Sequence, residues 1–169
     1  VNDPTAMETI RSAQADAWVV IAFGQKLSPA LLADRFAINL HGSLLPRWRG
    51  AAPIHHAVIA GDPQTGVSVI TLADRMDAGD VLATATIDIA LCDTTGDLHE
   101  SLSQLGPDCV HHVLQDYAAG VVHSQPQNES AATAAPKLSR QSAAISPDMS
   151  AMDLRCRING CAPWPGCDG

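Results

Sequence analysis

Phe36-Ala37-Ile38-Asn39-Leu40-His41, running into Gly42-Ser43-Leu44-Leu45-Pro46-Arg47-Trp48-Arg49-Gly50, is the stretch on which the reading of this chain turns. The first part is apolar apart from Asn39 and His41, and the alternation of a strand puts those two side chains on one face. The second part has no periodicity and carries Pro46 and two arginines around Trp48, which reads as a loop. Polar residues at the carboxyl end of an apolar strand stand where α/β sheets hold their chemistry.

Working outward, Trp18 to Phe23 is a continuous apolar, β-branched run closed by Gly24, which reads as a buried parallel strand. Pro29 to Arg35 reads as a short helix with Ser28 as N-cap and Pro29 in the first helical position. Downstream, Pro53 to Ala60 is a helix stopped by Gly61. Thr65 to Leu72 and Val81 to Ile89 are strands joined by the Asp/Gly-rich turn Asp74 to Asp80. From Thr95 to Ala119 the apolar residues Leu98, Leu102, Leu105, Cys109, Val113 and Tyr117 keep helical spacing, with a kink expected at Gly106-Pro107 and an end at Gly120.

These elements predict an α/β fold with a mixed, mainly parallel sheet. Roughly two candidate parallel strands are fewer than the five or so usual in a sheet, and the chain opens at Val1 rather than Met. The expectation is a partial domain lacking its first βα units. Beyond Ser124 the composition turns to Gln, Asn, Ser, Ala and Pro, with only a short helix around Met152 to Ile158. Residues 1–124 are therefore read as the catalytic part and 125–169 as a linker-like segment.

Composition narrows the function. A 169-residue chain with 46% hydrophobic residues suits a single buried core. No apolar run is long enough to span a bilayer, and no signal segment opens the chain, so a membrane-free protein of the cytoplasm or an organellar matrix is expected. Cys92, Cys109, Cys156, Cys161 and Cys167 are odd in number and share no C-x-x-C spacing, which reads as reduced thiols. His55-His56 and His111-His112 are adjacent rather than one helical turn apart, so they read as helix-surface histidines and no metal is expected. A formal charge of −8 excludes a surface that binds nucleic acid everywhere, and any RNA contact must be local. No G-x-G-x-x-G follows a strand and no G-x-S-x-G elbow exists, which sets aside dinucleotide and serine-hydrolase chemistry.

Asp77 lies in the turn after the next strand, so strand end and neighbouring turn can bring Asn39, His41 and Asp77 around one crevice. Such a trio suits acyl transfer to an amine without a covalent enzyme intermediate. Asn39 and His41 would stabilise the developing oxyanion, and Asp77 would relay protons from the attacking amine. Asn and His also serve as turn and capping residues, so the residues alone define a candidate acyl-transfer site and no more.

The stretch Asn39 to Ile54, reading N-L-H-G-S-L-L-P-R-W-R-G-A-A-P-I, resembles the signature of the 10-formyltetrahydrofolate-dependent formyltransferases. Met76-Asp77-Ala78-Gly79-Asp80 is similar to the family's D-x-G-D turn, at the family's separation from the histidine. The resemblance implies a Rossmann-like formyltransferase domain with Asn39, His41 and Asp77 as its catalytic trio. It implies that Ser43, Leu44, Leu45 and Pro46 line the folate site, with Phe23 to Leu27 and Thr71 to Asp77 walling the pterin pocket. Arg47-Trp48-Arg49-Gly50-Ala51-Ala52-Pro53-Ile54, Ala135-Pro136-Lys137-Leu138-Ser139 and Pro163-Trp164-Pro165-Gly166 together resemble the branch that formylates initiator Met-tRNA. The implied cosubstrate is 10-formyltetrahydrofolate, the implied partner initiator Met-tRNA, and the expected state a monomer. Members of that family continue past this segment into a carboxyl-terminal β-barrel, to which 125–169 would lead. The basic loop stays open to two readings: Arg47, Trp48 and Arg49 either meet tRNA phosphates and stacked bases, or form charge pairs that hold the loop.

Overall fold

The computed structural model describes residues 1–167. Helix α1 (Pro4–Ser12) has no counterpart in the sequence reading. Asp3 caps it by accepting from the Thr5 and Ala6 N–H groups, and no residue of the helix is buried, so hydrophobic periodicity gave little to find. Strand β1 (Ala17–Ile21) and helix α2 (Pro29–Leu32) follow. Ser28 caps α2 through the Leu31 N–H as expected, but the helix stops early because Ala33 leaves the helical region and Asp34 adopts a φ of 58°.

Strand β2 (Phe36–His41) leads through the loop into β3 (Arg49–Gly50) and helix α3 (Pro53–Ile59). Strands β4 (Gln64–Thr71) and β5 (Val81–Asp88) form a hairpin, and helix α4 (Thr95–Ala119) opens on a capping box between Thr94 and Asp97. Strand β6 (Ala134–Ala135) and helix α5 (Ala151–Gly160) complete the order.

The main sheet runs β1-β2-β4-β5 and is mixed. Strands β1 and β2 are parallel, while β4 is antiparallel to both β2 and β5. Strands β3 and β6 make a separate parallel pair. Helix α4 covers one face of the main sheet, burying Leu102, Cys109, Val110 and Val113 against Ile38, Val67 and Val69. It remains one helix through Pro107, and the residue before it allows the approach: a Cβ on Gly106 would lie 2.6 Å from the Leu40 Cδ2. Since Ile38 and Leu40 point toward α4, Asn39 and His41 point to the opposite face, as strand alternation requires.

Two expectations change. The apolar run Trp18 to Phe23 reads as a buried strand, yet Val19 is 39%, Ile21 58% and Phe23 47% exposed. Among the described residues strand β1 has only β2 as a neighbour, and an edge position cannot be seen in a run of apolar residues. The segment after Ser124 has a linker's composition but lies docked on the domain. Gln125 exchanges both backbone hydrogen bonds with Val81 at 2.9 Å, β6 pairs with β3, and α5 packs on α3. A second apolar cluster of Ala52, Leu138, Ala143 and Cys161 fixes it there, built from small side chains with no periodic pattern. Among the described residues no helix is long and apolar enough to cross a membrane.

Candidate active site

His41 is the last residue of β2 and 6% exposed. Its Nε2 lies 2.9 Å from the Trp48 carbonyl oxygen, which can only accept, so Nε2 carries a proton and donates it. Nδ1 is thereby left facing Asp77, whose Oδ2 lies 3.6 Å away, within ion-pair range but beyond a direct hydrogen bond. The same Asp77 oxygen accepts the Gly50 N–H at 2.9 Å. Asn39 sits two residues before His41 on the same face, flanked across the sheet by Val20 and Ile70. Its side-chain amide has no hydrogen-bond partner among the described residues, which leaves it available to a ligand.

Two residues of this site occupy left-handed backbone: Trp48 at φ 66° and Asp77 at φ 51°. Such a conformation costs roughly 1–3 kcal/mol outside glycine and persists only where the surroundings over-determine it. Trp48 is held by its N–H to the Thr133 Oγ1 at 2.9 Å, by its carbonyl to His41, and by its indole Nε1 to the Asp62 Oδ2 at 2.7 Å. Asp77 is held by Gly50 at its carboxylate and by Gln127 at its carbonyl, 2.8 Å away.

The loop expected to line a folate divides into an inner and an outer part. Ser43 is fully buried and donates its hydroxyl to the Arg47 carbonyl at 2.7 Å. Leu45 is 9% exposed, and its N–H donates to the Ser68 Oγ, which in turn donates to the Ser43 carbonyl at 2.7 Å. Both shape the loop from within, whereas Leu44 and Pro46 are only half-buried. Ser68 stands opposite His41 in β4, and its one sequence signal is a hydroxyl interrupting an apolar strand. The Phe23 to Leu27 and Thr71 to Asp77 segments touch where Lys26 Nζ donates to the Asp74 carbonyl at 2.9 Å.

Of the two readings of the basic loop, charge pairing is what the structure contains. Arg47 grips Asp62 with two bonds, Nε to Oδ2 at 2.9 Å and Nη2 to Oδ1 at 2.7 Å, while its guanidinium lies 4.3 Å over the Trp48 ring. Arg49 pairs with Glu129 and Gln127. Hydrogen bonds from Arg49 and then Arg75 hold the Glu129 carboxyl down at about 2. For Asp62, burial is the largest single influence and pushes upward, but hydrogen bonds from Arg47 and Trp48 with the Arg47 charge outweigh it, so the carboxyl lies below its ordinary 3.8.

A depressed folded-state value stabilises the fold above the unfolded value and loses that stabilisation as pH falls through the folded one. Asp62→Asn is therefore expected to cost about 1.5 kcal/mol at neutral pH, a low figure because Arg47 is partly exposed. Thermal melts at stepped pH should show the gap between variant and parent closing below pH ~4. A constant gap down to pH ~2 would mean that the Asp62 charge contributes nothing.

A cleft of about 180 Å³ lined by Leu44, Arg47, Trp48, Asp62 and Thr65 lies beside this ion pair, and another of about 270 Å³ lies between α3, the end of β5 and α5. Neither is lined by His41 or Asp77. Of the paired histidines, His56 bonds the Pro136 carbonyl and His112 contacts Asp116 one helical turn on. Among the described residues no group of three or more His, Cys, Asp or Glu could hold a metal ion.

The central strand of this α/β sheet ends in Asn-x-His, and an aspartate turn is folded against the histidine. The chain belongs to the formyl transferase family, whose profile matches residues 1–114. It is 40% identical over 164 residues to the methionyl-tRNA formyltransferase of Pseudoalteromonas translucida (strain TAC 125), covering 96% of this chain and 51% of that protein. It is 39% identical over 168 residues to the methionyl-tRNA formyltransferase of Moorella thermoacetica, covering 98% and 54%. The chain thus spans about half the length of the curated relatives it matches. Among solved structures, HypX from Aquifex aeolicus in complex with tetrahydrofolic acid superposes with a TM-score of 0.82 at 18% identity, covering 95% of this chain and 28% of HypX. That likeness concerns the fold.

Proposed function

We propose that this chain transfers a formyl group from 10-formyltetrahydrofolate to the α-amine of initiator methionyl-tRNA. One observation carries the reading: an unengaged Asn39 amide shares a strand face with His41, whose Nδ1 is turned to Asp77. The amine nitrogen bonds to the formyl carbon, negative charge gathers on the formyl oxygen, and the bond from that carbon to N10 of the folate then breaks. Asn39 donates to the charged oxygen. Asp77, directly or through water, takes the proton the amine loses, and His41 relays it so that it ends on the departing N10.

Leu44 and Pro46, the Phe23–Leu27 loop and the Thr71–Asp77 turn border the folate, while Ser43 and Leu45 give the loop its shape from inside. A neighbouring fold that holds tetrahydrofolic acid supports a folate here. The acceptor is supported by relatives of about 40% identity that carry the methionyl-tRNA name. The reading includes a monomer acting in the cytoplasm or an organellar matrix.

The test offers 10-formyltetrahydrofolate with Met-tRNA, an amino sugar, or water alone. Formyl-Met-tRNA as the product supports the proposal, and formyl transfer to the sugar or to water overturns the acceptor while leaving the donor. A thermal melt with a stable folate should shift upward, by an amount equivalent to about 2.7 kcal/mol at a hundredfold excess over Kd.

A further inference from the structure

We propose that Gln127, in the segment beyond α4, is a positioning residue for Asp77; this rests on the reading of Asp77 as part of a formyl-transfer site. The Gln127 Nε2 donates to two carbonyls of the same turn, Asp77 at 2.8 Å and Gly79 at 2.7 Å. Its Oε1 accepts from both Nε and Nη2 of Arg49, at 3.0 and 2.7 Å. Both amide hydrogens and both oxygen lone pairs are engaged, the full capacity of a glutamine.

Those four bonds join two pieces of chain that are far apart in sequence but must agree at the site. One is the turn that holds Asp77 at φ 51°. The other is Arg49, whose following residue, Gly50, supplies the N–H that Asp77 Oδ2 accepts. Asp77 is thus fixed by its backbone through Gln127 and by its carboxylate through Gly50, and Gln127 sets the spacing between the two. The surrounding strap repeats the arrangement. Gln125 bonds Val81 on the far side of the turn, Thr133 bonds Trp48, and Ala134 and Ala135 pair with Arg49 and Gly50. A segment that reads as a linker therefore sets the geometry of both His41, through Trp48, and Asp77.

Gln127→Glu separates positioning from ordinary stabilisation. It preserves shape and keeps an oxygen for the Arg49 fork, but replaces the two donors that hold the turn. Hydrogen exchange at the Gly50 amide reads the Asp77 contact, and exchange at Val69, fully buried in β4, reads global stability. Gln127→Glu should raise Gly50 exchange about tenfold relative to Val69, the size of one lost hydrogen bond. It should lower kcat by about tenfold while leaving the KM for folate within about twofold. Gln127→Ala should do the same or more. A Gly50 rate that does not move, or that moves only in step with Val69, overturns the proposal, as does an unchanged kcat despite faster Gly50 exchange. If the unsubstituted chain transfers no formyl group, the proposed function fails, and the exchange ratio still decides whether Gln127 positions Asp77.

Discussion

Asp77→Asn should slow formyl transfer by about 10² to 10⁴, measured as kcat with both substrates saturating. The substitution is nearly isosteric and can keep an oxygen for the Gly50 N–H, so the turn retains its support. What it removes is the charge 3.6 Å from His41 Nδ1 and the carboxylate oxygen proposed to take the proton from the amine. The loss therefore belongs to kcat, and the KM for folate should stay within about threefold. His41→Ala should cost a similar factor and Asn39→Ala about 10² to 10³, the range for one oxyanion donor. Because the three act on one proton and one developing charge, the Asp77→Asn, His41→Ala double variant should be little slower than the worse single one. A loss of less than tenfold for Asp77→Asn would mean that another group takes the proton.

Legibility in the sequence followed the physics of each element. Strand β2 and helix α4 have the bounds their apolar patterns predict, because each buries one continuous stripe against the other. Strand β1 shows an equally strong apolar run, but its burial depends on how many strands flank it, a property of topology that no local pattern contains. In the loop, sequence could not tell inside from outside. Ser43 and Leu45 turn inward to bond Arg47 and Ser68, and only the folded path of the chain separates them from Leu44 and Pro46. The Asn39 and His41 pairing followed from strand alternation, and the Asp77 contact from a turn close to the strand end. Gln127, Thr133 and Ser68 were missed because each is one ordinary polar residue, meaningful only through the partner it reaches across the fold.

The strap also changes how the basic loop is understood. Arg47 and Arg49 look like a nucleic-acid contact in one dimension, yet both guanidinium groups are committed to carboxylates of this domain. Their pairing fixes Trp48 and Gly50, which are the two backbone positions that His41 and Asp77 bond. Charge near the site thus contributes first to geometry.

Gly79→Ala should be the most destabilising single-methyl addition near the site, costing about 3 kcal/mol or more. An added Cβ would stand 1.8 Å from the Thr71 carbonyl oxygen and 2.6 Å from its carbon, and backbone cannot swing aside as the end of a side chain can. Neither strand is free to yield, because the Thr71 N–H donates to the Asp80 carbonyl at 3.0 Å and the Asp80 N–H to the Thr71 Oγ1 at 2.9 Å. Relief must come from opening the hairpin end or shifting the turn, and a shift carries Asp77 with it. Urea unfolding should show the stability loss, and formyl transfer should fall further than the remaining folded fraction explains. Gly24→Ala provides the comparison, since a Cβ there meets nothing within 4 Å and should change stability by less than about 0.5 kcal/mol. If the two substitutions cost the same, the close contact between Gly79 and Thr71 is not what holds the turn, and Asp77 owes its position to Gln127 and Gly50 alone.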